Sequence, residues 1–205
     1  YLFNAAMNFL KTFSRVTAVL CTATQPPLEQ LKFPIEISNH ADLTSDTAEV
    51  FEGFRRVQVE NHCEDGGSSV DEIASEIVHA AEEIGDVLCI VNLTAQARSL
   101  CEAVSERTQI SERDIHVVHL STKMCPAHRK AVLRIVREEL DACRKYPEQR
   151  LICISTQLIE AGVDVSFPVV YRALAGFSSI AQAAGRCNRH GEMERGIVRL
   201  FTLEQ

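Results

Sequence analysis

Short apolar runs alternate with amphipathic helical segments along most of the chain, and this alternation limits the possible folds more than any other feature. Helical spacing is clearest over 70–84, where Ser69 and Glu72 match a capping box. A further strand is expected near 56–60, and the later strand-like runs are DVLCIVN, IHVVHLS, RLICIST, PVVYRA and GIVRLFT. Repeated strand-helix-strand units predict an α/β fold with a mostly parallel sheet and helices on both faces.

The beginning of the chain has a different pattern. An amphipathic segment predicts a first helix, which leads into a strand-like run, TAVLCTAT. Pro26 and Pro27 break the chain after that run, and residues 29–56 are acidic with weak periodicity, which is typical of a linker or excursion. Because the chain starts at Tyr1 inside a helical pattern, we expect it to be a piece of a longer polypeptide.

Charge is distributed unevenly around a net value of −7. The segment from Glu36 to Asp86 holds 14 acidic residues and only Arg55 and Arg56 as basic ones. Basic residues gather in 123–137 and 186–199, so particular faces can bind anions although the whole chain is acidic. No apolar stretch is long enough to span a membrane, and we expect a cytoplasmic protein without membrane contact.

Eight cysteines occur, but none forms a CxxC pair, so buried reduced thiols are expected and no metal site is predicted. No GxGxxG motif follows a strand, which disfavours a small-molecule enzyme that binds a dinucleotide.

Polar side chains follow three of the predicted strands, at the edge where ligand sites form in open parallel sheets. Each of them alone is more often a helix cap or turn residue, and their recurrence is what favours a site. They are Asn92 and Thr94, His119 and Ser121, and Ser155 and Thr156.

Two segments near the end carry the most specific signal: STQLIEAGVD, residues 155–164, and QAAGRCNR, residues 182–189. In a helix, Gln182, Arg186 and Arg189 would share one face and reach one cleft. Guanidinium groups suit phosphate oxygens because they stay charged and present a rigid donor fork. A surface helix with salt bridges is the plainer alternative.

These two segments resemble motifs V and VI of superfamily 2 helicases, and the longer string from ISTQLIEAGVD to QAAGRCNRHGE looks like the CRISPR-associated helicase-nuclease of type I systems. The resemblance implies a RecA-like fold, with residues 1–28 ending a first lobe, 29–56 a linker or acidic excursion, and 57–205 a second lobe. TATQPPL resembles the motif III region, which would give Thr22 and Thr24 a role in coupling the lobes.

The resemblance also implies a nucleotide site. Arg189 would be the arginine finger and Arg186 would contact the terminal phosphate, both as catalytic residues. Gln182, Gly162 and Asp164 would bind ATP. Mg²⁺ ligands are expected in the missing first lobe, because this chain has neither GxxxxGK[ST] nor an acidic box before TATQPPL.

Single-stranded DNA is the second implied ligand. VNLTAQA resembles motif IV, and HLSTKMCPAHR resembles the motif after it, although Thr122 stands where the commoner form has a basic residue. The implied nucleic-acid contacts are Asn92, Thr94, His119, Ser121, Arg129 and Thr156.

The sequence therefore predicts the second lobe of an ATP-dependent DNA translocase of CRISPR interference, inactive alone. Its expected partners are single-stranded DNA, the RNA-guided surveillance complex, and the missing first lobe and nuclease domain. The alternative is a non-catalytic module that docks on the surveillance complex.

Overall fold

The structure is a computed structural model that describes residues 2–14, 16–20, 28, 30–35, 37, 55–63, 66–160 and 163–204. Contacts divide the chain into two compact units, 1–54 and 55–205. In the first unit, helix α1 spans Leu2–Phe13. The buried side chain of Asn4 donates from Nδ2 to the carbonyl of Phe33 at 2.7 Å, which fixes α1 against the segment 30–35.

The strand predicted in TAVLCTAT is wrong for its described part, because residues 16–20 carry no strand. A strand needs a hydrogen-bonded neighbour, and the apolar run alone does not supply one. The rest of that run, including Cys21, Thr22 and Thr24, lies outside the described residues.

The second unit is an α/β domain built on six strands. Its elements are β1 (Val57–His62), α2 (Val70–Glu83), β2 (Val87–Val91), α3 (Thr94–Thr108), β3 (Asp114–Leu120), α4 (Pro126–Lys145), β4 (Gln149–Thr156), a 3₁₀ turn (Gln157–Ile159), β5 (Val169–Ala173), α5 (Phe177–Ala184) and β6 (Gly196–Phe201). The strands are all parallel, in the order β1-β6-β5-β2-β4-β3. This confirms the predicted parallel sheet and RecA-like class.

Local sequence explains where several elements begin. The capping box predicted at α2 is present, since Ser69 Oγ accepts the amide of Glu72 at 3.2 Å and the Glu72 carboxylate accepts the amide of Ser69 at 2.8 Å. Pro126 occupies the first turn of α4, where a missing amide hydrogen costs nothing.

Two apolar layers cover the two faces of the sheet. Helices α2 and α3 pack through Ile73, Ile77 and Leu100 on the face that carries Ile152 and Ile154. The opposite face carries Leu151 and Cys153, which α4 covers through Val136 and Leu140, with Ala183 of α5 in the same cluster. Because alternate residues of β4 point to opposite faces, its apolar run 151–154 is buried on both sides of the sheet. No described helix is long and apolar enough to cross a membrane.

Candidate nucleotide and nucleic-acid site

The carboxyl ends of β2, β4 and β3 lie side by side, because these three strands are neighbours and parallel. Val91 pairs with Thr156, and Leu120 pairs with Ser155. Asn92 directly follows β2, and Thr94 is the first residue of α3. The three strand ends predicted from the sequence to carry polar residues therefore meet at one edge of the sheet.

Among the described side chains with buried polar atoms that lack a hydrogen-bond partner, three are predicted nucleic-acid contacts. They are Thr156 Oγ1, His119 Nε2 and Arg129 Nε. Thr156 is only 3% exposed. A buried polar atom left unpaired costs about 1–3 kcal/mol, so such atoms are candidates for binding a ligand. The predicted nucleic-acid contacts include all three residues.

Other predicted contacts already have partners within the fold. Ser121 Oγ accepts the amide of Lys123 at 3.3 Å, as a turn-forming serine does. Asn92 donates from Nδ2 to the carbonyl of Leu174 at 2.9 Å. Its Oδ1 accepts from Arg172 at 2.9 Å. These two side chains therefore contribute to local structure at the carboxyl edge.

The surroundings of His119 favour its neutral form. Its pKa is lowered, chiefly because burial disfavours the charged ring and secondly because the positive charge of Arg98 lies nearby. Arg98 is an exposed residue of α3 that the sequence patterns do not single out. Its position next to a polar strand end depends on how α3 packs, which no local pattern reveals.

The expectation that Gln182, Arg186 and Arg189 share one helix face is wrong. Helix α5 ends at Ala184, with Gly185 as its C-cap, so only Gln182 lies on the helix. After the cap, the chain pairs with the segment before β5, where Phe167 donates to the carbonyl of Arg186 and accepts from the amide of Asn188, both at 2.9 Å. This tertiary pairing overrides the helical spacing.

Arg186 is buried, at 7% exposure, and its guanidinium binds backbone. Nε donates to the carbonyl of Ile159 at 3.0 Å, and Nη2 donates to the carbonyl of Glu160 at 2.7 Å. Burial lowers the pKa of Arg186, and so does the neighbouring Arg189, while Asp164 opposes them. An arginine remains charged even so. The side chain thus fixes the segment after β4.

Arg189 lies closer to solvent and pairs with a carboxylate. Its Nε lies 3.0 Å from Oδ1 of Asp164, with the two side chains 41% and 69% exposed. The Arg189 amide donates to Ser166 Oγ at 2.9 Å. The structure therefore brings together two residues predicted for the nucleotide site, one from each motif. Gly162, also predicted for ATP, lies outside the described residues.

Asn188 shapes the turn that presents Arg189, and sequence reasoning missed it. Its φ of 44° lies in the left-handed region, which asparagine tolerates better than most residues. Its side chain donates to the carbonyls of Arg56 at 3.0 Å and Met193 at 2.8 Å. Asparagine's preference for such turns was the available signal.

A buried ion pair was also missed. Arg172 of β5 is fully buried, and its Nε lies 2.9 Å from Oε1 of Glu160, whose side chain is 6% exposed. Burial raises the pKa of Glu160, whereas the charge of Arg172 lowers it. One sequence signal was available: Arg172 interrupts the otherwise apolar run PVVYRA.

The described residues contain no group of three or more His, Cys, Asp or Glu side chains placed to hold a metal ion. Cys187, which has ligand-like spacing to His190, is buried and its pKa is raised to about 12 by burial. Its Sγ lies 3.4 Å from the carbonyl oxygens of Pro168 and Ile197, and its one S–H can donate to either of them. Cys187 therefore packs as a protonated thiol.

Comparisons with known proteins agree with this fold. The parallel sheet and its covering helices define an α/β domain of the RecA-like class. Residues 83–192 match the family model described as CRISPR-associated nuclease/helicase Cas3, C-terminal. The chain belongs to this family.

A curated relative supports the same family. The CRISPR-associated nuclease/helicase Cas3 of Haloferax volcanii is 34% identical over 140 residues, which are 67% of this chain and 14% of that protein. The chain thus spans a small part of its relative's length.

Among solved structures, T. fusca Cas3 with ADP aligns with a TM-score of 0.59 at 18% identity, covering 74% of this chain and 19% of that one. A chain of a CRISPR RNA-guided surveillance complex, pre-nicking, aligns at 0.53 and 16% identity, covering 74% and 19%. At these identities the structural likenesses show the fold alone.

Proposed function

We propose that this chain is the second RecA-like lobe of an ATP-dependent translocase that moves on single-stranded DNA in CRISPR interference. Residues 57–205 form that lobe, 1–28 end the first lobe, and 29–56 link the two. Family membership supports the helicase part of this proposal. The remaining 86% of the Haloferax relative, outside the match, leaves room for a first lobe and a nuclease domain.

The observation that carries the DNA part is the group of unpaired buried atoms on Thr156, His119 and Arg129. A threonine hydroxyl, a neutral imidazole and a guanidinium can each donate a hydrogen bond to a phosphate oxygen. We assign Asn92, Thr94 and Ser121 to the same track because they share its edge. Contacts of this kind position a strand without reading its sequence, which suits translocation.

The nucleotide part rests on Arg189 and Asp164. We assign Arg189 as the arginine finger, since its guanidinium is half-exposed and pairs with an exposed carboxylate. The first lobe would bind the phosphates of ATP and Mg²⁺. This lobe would contact the same ATP through Asp164, Gln182 and Gly162. Arg186 would fix the backbone between the two motifs and contact the terminal phosphate with the rest of its guanidinium. The motif III threonines, Thr22 and Thr24, would couple the lobes.

The full-length protein provides the test, with ATP hydrolysis measured with and without single-stranded DNA. We expect hydrolysis to depend on DNA, and we expect the 205-residue chain alone to hydrolyse no ATP. A full-length protein that binds an RNA-guided surveillance complex but hydrolyses no ATP in either condition would overturn the proposal. That result would favour the alternative of a docking module.

A further inference from the structure

The buried pair of Glu160 and Arg172 lies at the centre of a continuous set of contacts across the lobe. On one side, Arg172 Nη1 donates to Asn92 Oδ1 at 2.9 Å and to the carbonyl of Ala173 at 2.6 Å. On the other side, the carbonyl of Glu160 accepts from Arg186 Nη2 at 2.7 Å. Asn92 follows β2 and Arg186 follows α5. The pair therefore connects the segment VNLTAQA with the segment QAAGRCNR.

A buried ion pair of this kind is not expected to add much to the free energy of unfolding. The Nε of Arg172 and Oε1 of Glu160 are 2.9 Å apart, and Arg172 Nη2 has no partner among the described residues. Removing two charges from water costs free energy that their attraction offsets only in part, and an apolar pair is often at least as stable. A role other than stabilisation therefore fits this pair better.

That role is to orient the side chain of Asn92. Its Oδ1 accepts from Arg172 and its Nδ2 donates to the carbonyl of Leu174, so both ends of the amide are fixed by β5 and the residue after it. Arg172 is in turn oriented by the carboxylate of Glu160. Glu160 comes four residues after Thr156, whose unpaired hydroxyl lies at the same edge.

We propose that Glu160 and Arg172 are positioning residues that orient Asn92 at the DNA track and link it to the backbone held by Arg186. This inference rests on the proposed function, because it gives the pair a role in coupling DNA binding to ATP hydrolysis. Neither residue itself touches DNA or nucleotide. The fork of Arg172 is what allows one side chain to reach Glu160 and Asn92 together.

The test uses the full-length protein and two variants. Glu160→Gln combined with Arg172→Met removes both charges at similar volume, so no unpaired charge remains buried. Arg172→Lys keeps the charge opposite Glu160 but loses the fork. ATP hydrolysis is measured across a range of single-stranded DNA concentrations, together with the melting temperature.

We expect both variants to require at least fivefold more DNA for half-maximal stimulation, while hydrolysis without DNA stays within twofold of wild type. A purely structural role would instead be rescued by Arg172→Lys. The matched control is Glu60→Gln with Arg199→Met, a partly buried pair at 2.9 Å between β1 and β6. It should change the melting temperature but not the DNA requirement.

The outcomes separate the two proposals. If wild type is stimulated by DNA and both variants respond like wild type, the positioning role is wrong and the proposed function stands. The positioning role is equally wrong if the control pair raises the DNA requirement as much as the Glu160 and Arg172 variants do. If wild type shows no stimulation by DNA, the proposed function fails and the positioning role fails with it.

Discussion

The Nε of Arg189 lies 3.0 Å from Oδ1 of Asp164, which connects the segment after α5 to the segment before β5. Both side chains are substantially exposed, so the pair contributes about 0–1 kcal/mol to stability. A contact this weak orients the guanidinium without holding it permanently. Arg189 can exchange Asp164 for a phosphate at little cost.

The two arginines of QAAGRCNR should differ sharply in their effect on stability. Arg186→Met removes two hydrogen bonds to buried carbonyls and should lower the free energy of unfolding by about 2–4 kcal/mol. Arg189→Met removes only an exposed pair and should change it by less than about 1 kcal/mol. Urea denaturation of both variants measures the difference. Equal losses would contradict the structural assignment of Arg186.

The DNA track should depend on the residues with unpaired buried atoms. In the full-length protein, Arg129→Gln with Thr156→Val should weaken single-stranded DNA binding roughly tenfold. It should also reduce the slope of log K against log salt by about 0.7, the effect of one lost phosphate contact. Fluorescence anisotropy at several salt concentrations measures both quantities.

Arg134→Gln is the matched control for that variant. Arg134 lies on α4 like Arg129, but it is 74% exposed and pairs with Glu138 at 3.7 Å. The substitution removes the same charge from the same helix. If Arg134→Gln weakened binding as much as the double variant, the track would be wrong and the effect would be one of net charge.

His119 should make stability depend on pH. Its pKa is lowered in the folded state, so the unfolded chain binds the proton more readily as pH falls below about 6.5. Folding stability from this group is therefore fully present above pH 6.5 and is lost as pH falls toward the folded pKa. Between pH 7.5 and 5.5, wild type should lose more stability than His119→Gln in urea denaturation. An equal loss would contradict the burial of a neutral imidazole.

Sequence periodicity predicted the central strands well because strands that are buried on both faces contain apolar runs. DVLCIVN and RLICIST became β2 and β4 with little error. Helix α2 was predicted over 70–84 and spans Val70–Glu83, since its capping box fixes the first residue and Gly85 lies just beyond its end. Signals of this kind depend on residues that are close together in the sequence, so they can be recognised without the structure.

The failures have a common physical cause, namely partners that are distant in sequence. Helical spacing predicted that α5 continues to Arg189. In the structure α5 ends at Ala184, because Phe167 pairs with the segment 186–188. The ion pair of Glu160 and Arg172 depends on how β5 sits against the loop after β4. Arg172 within the apolar run PVVYRA indicates a buried charge, but no local pattern indicates that Glu160 is its partner.

The central claim, that this lobe supplies Arg189 to an ATP site completed by the first lobe, is tested most directly by DNA-stimulated ATP hydrolysis in full-length Arg189→Lys. Lysine keeps the charge but lacks the planar fork that matches transition-state oxygens. We expect the maximal rate to fall by about 10²-fold or more, with an unchanged melting temperature. A rate close to wild type would contradict the claim and make Arg189 an ordinary surface residue.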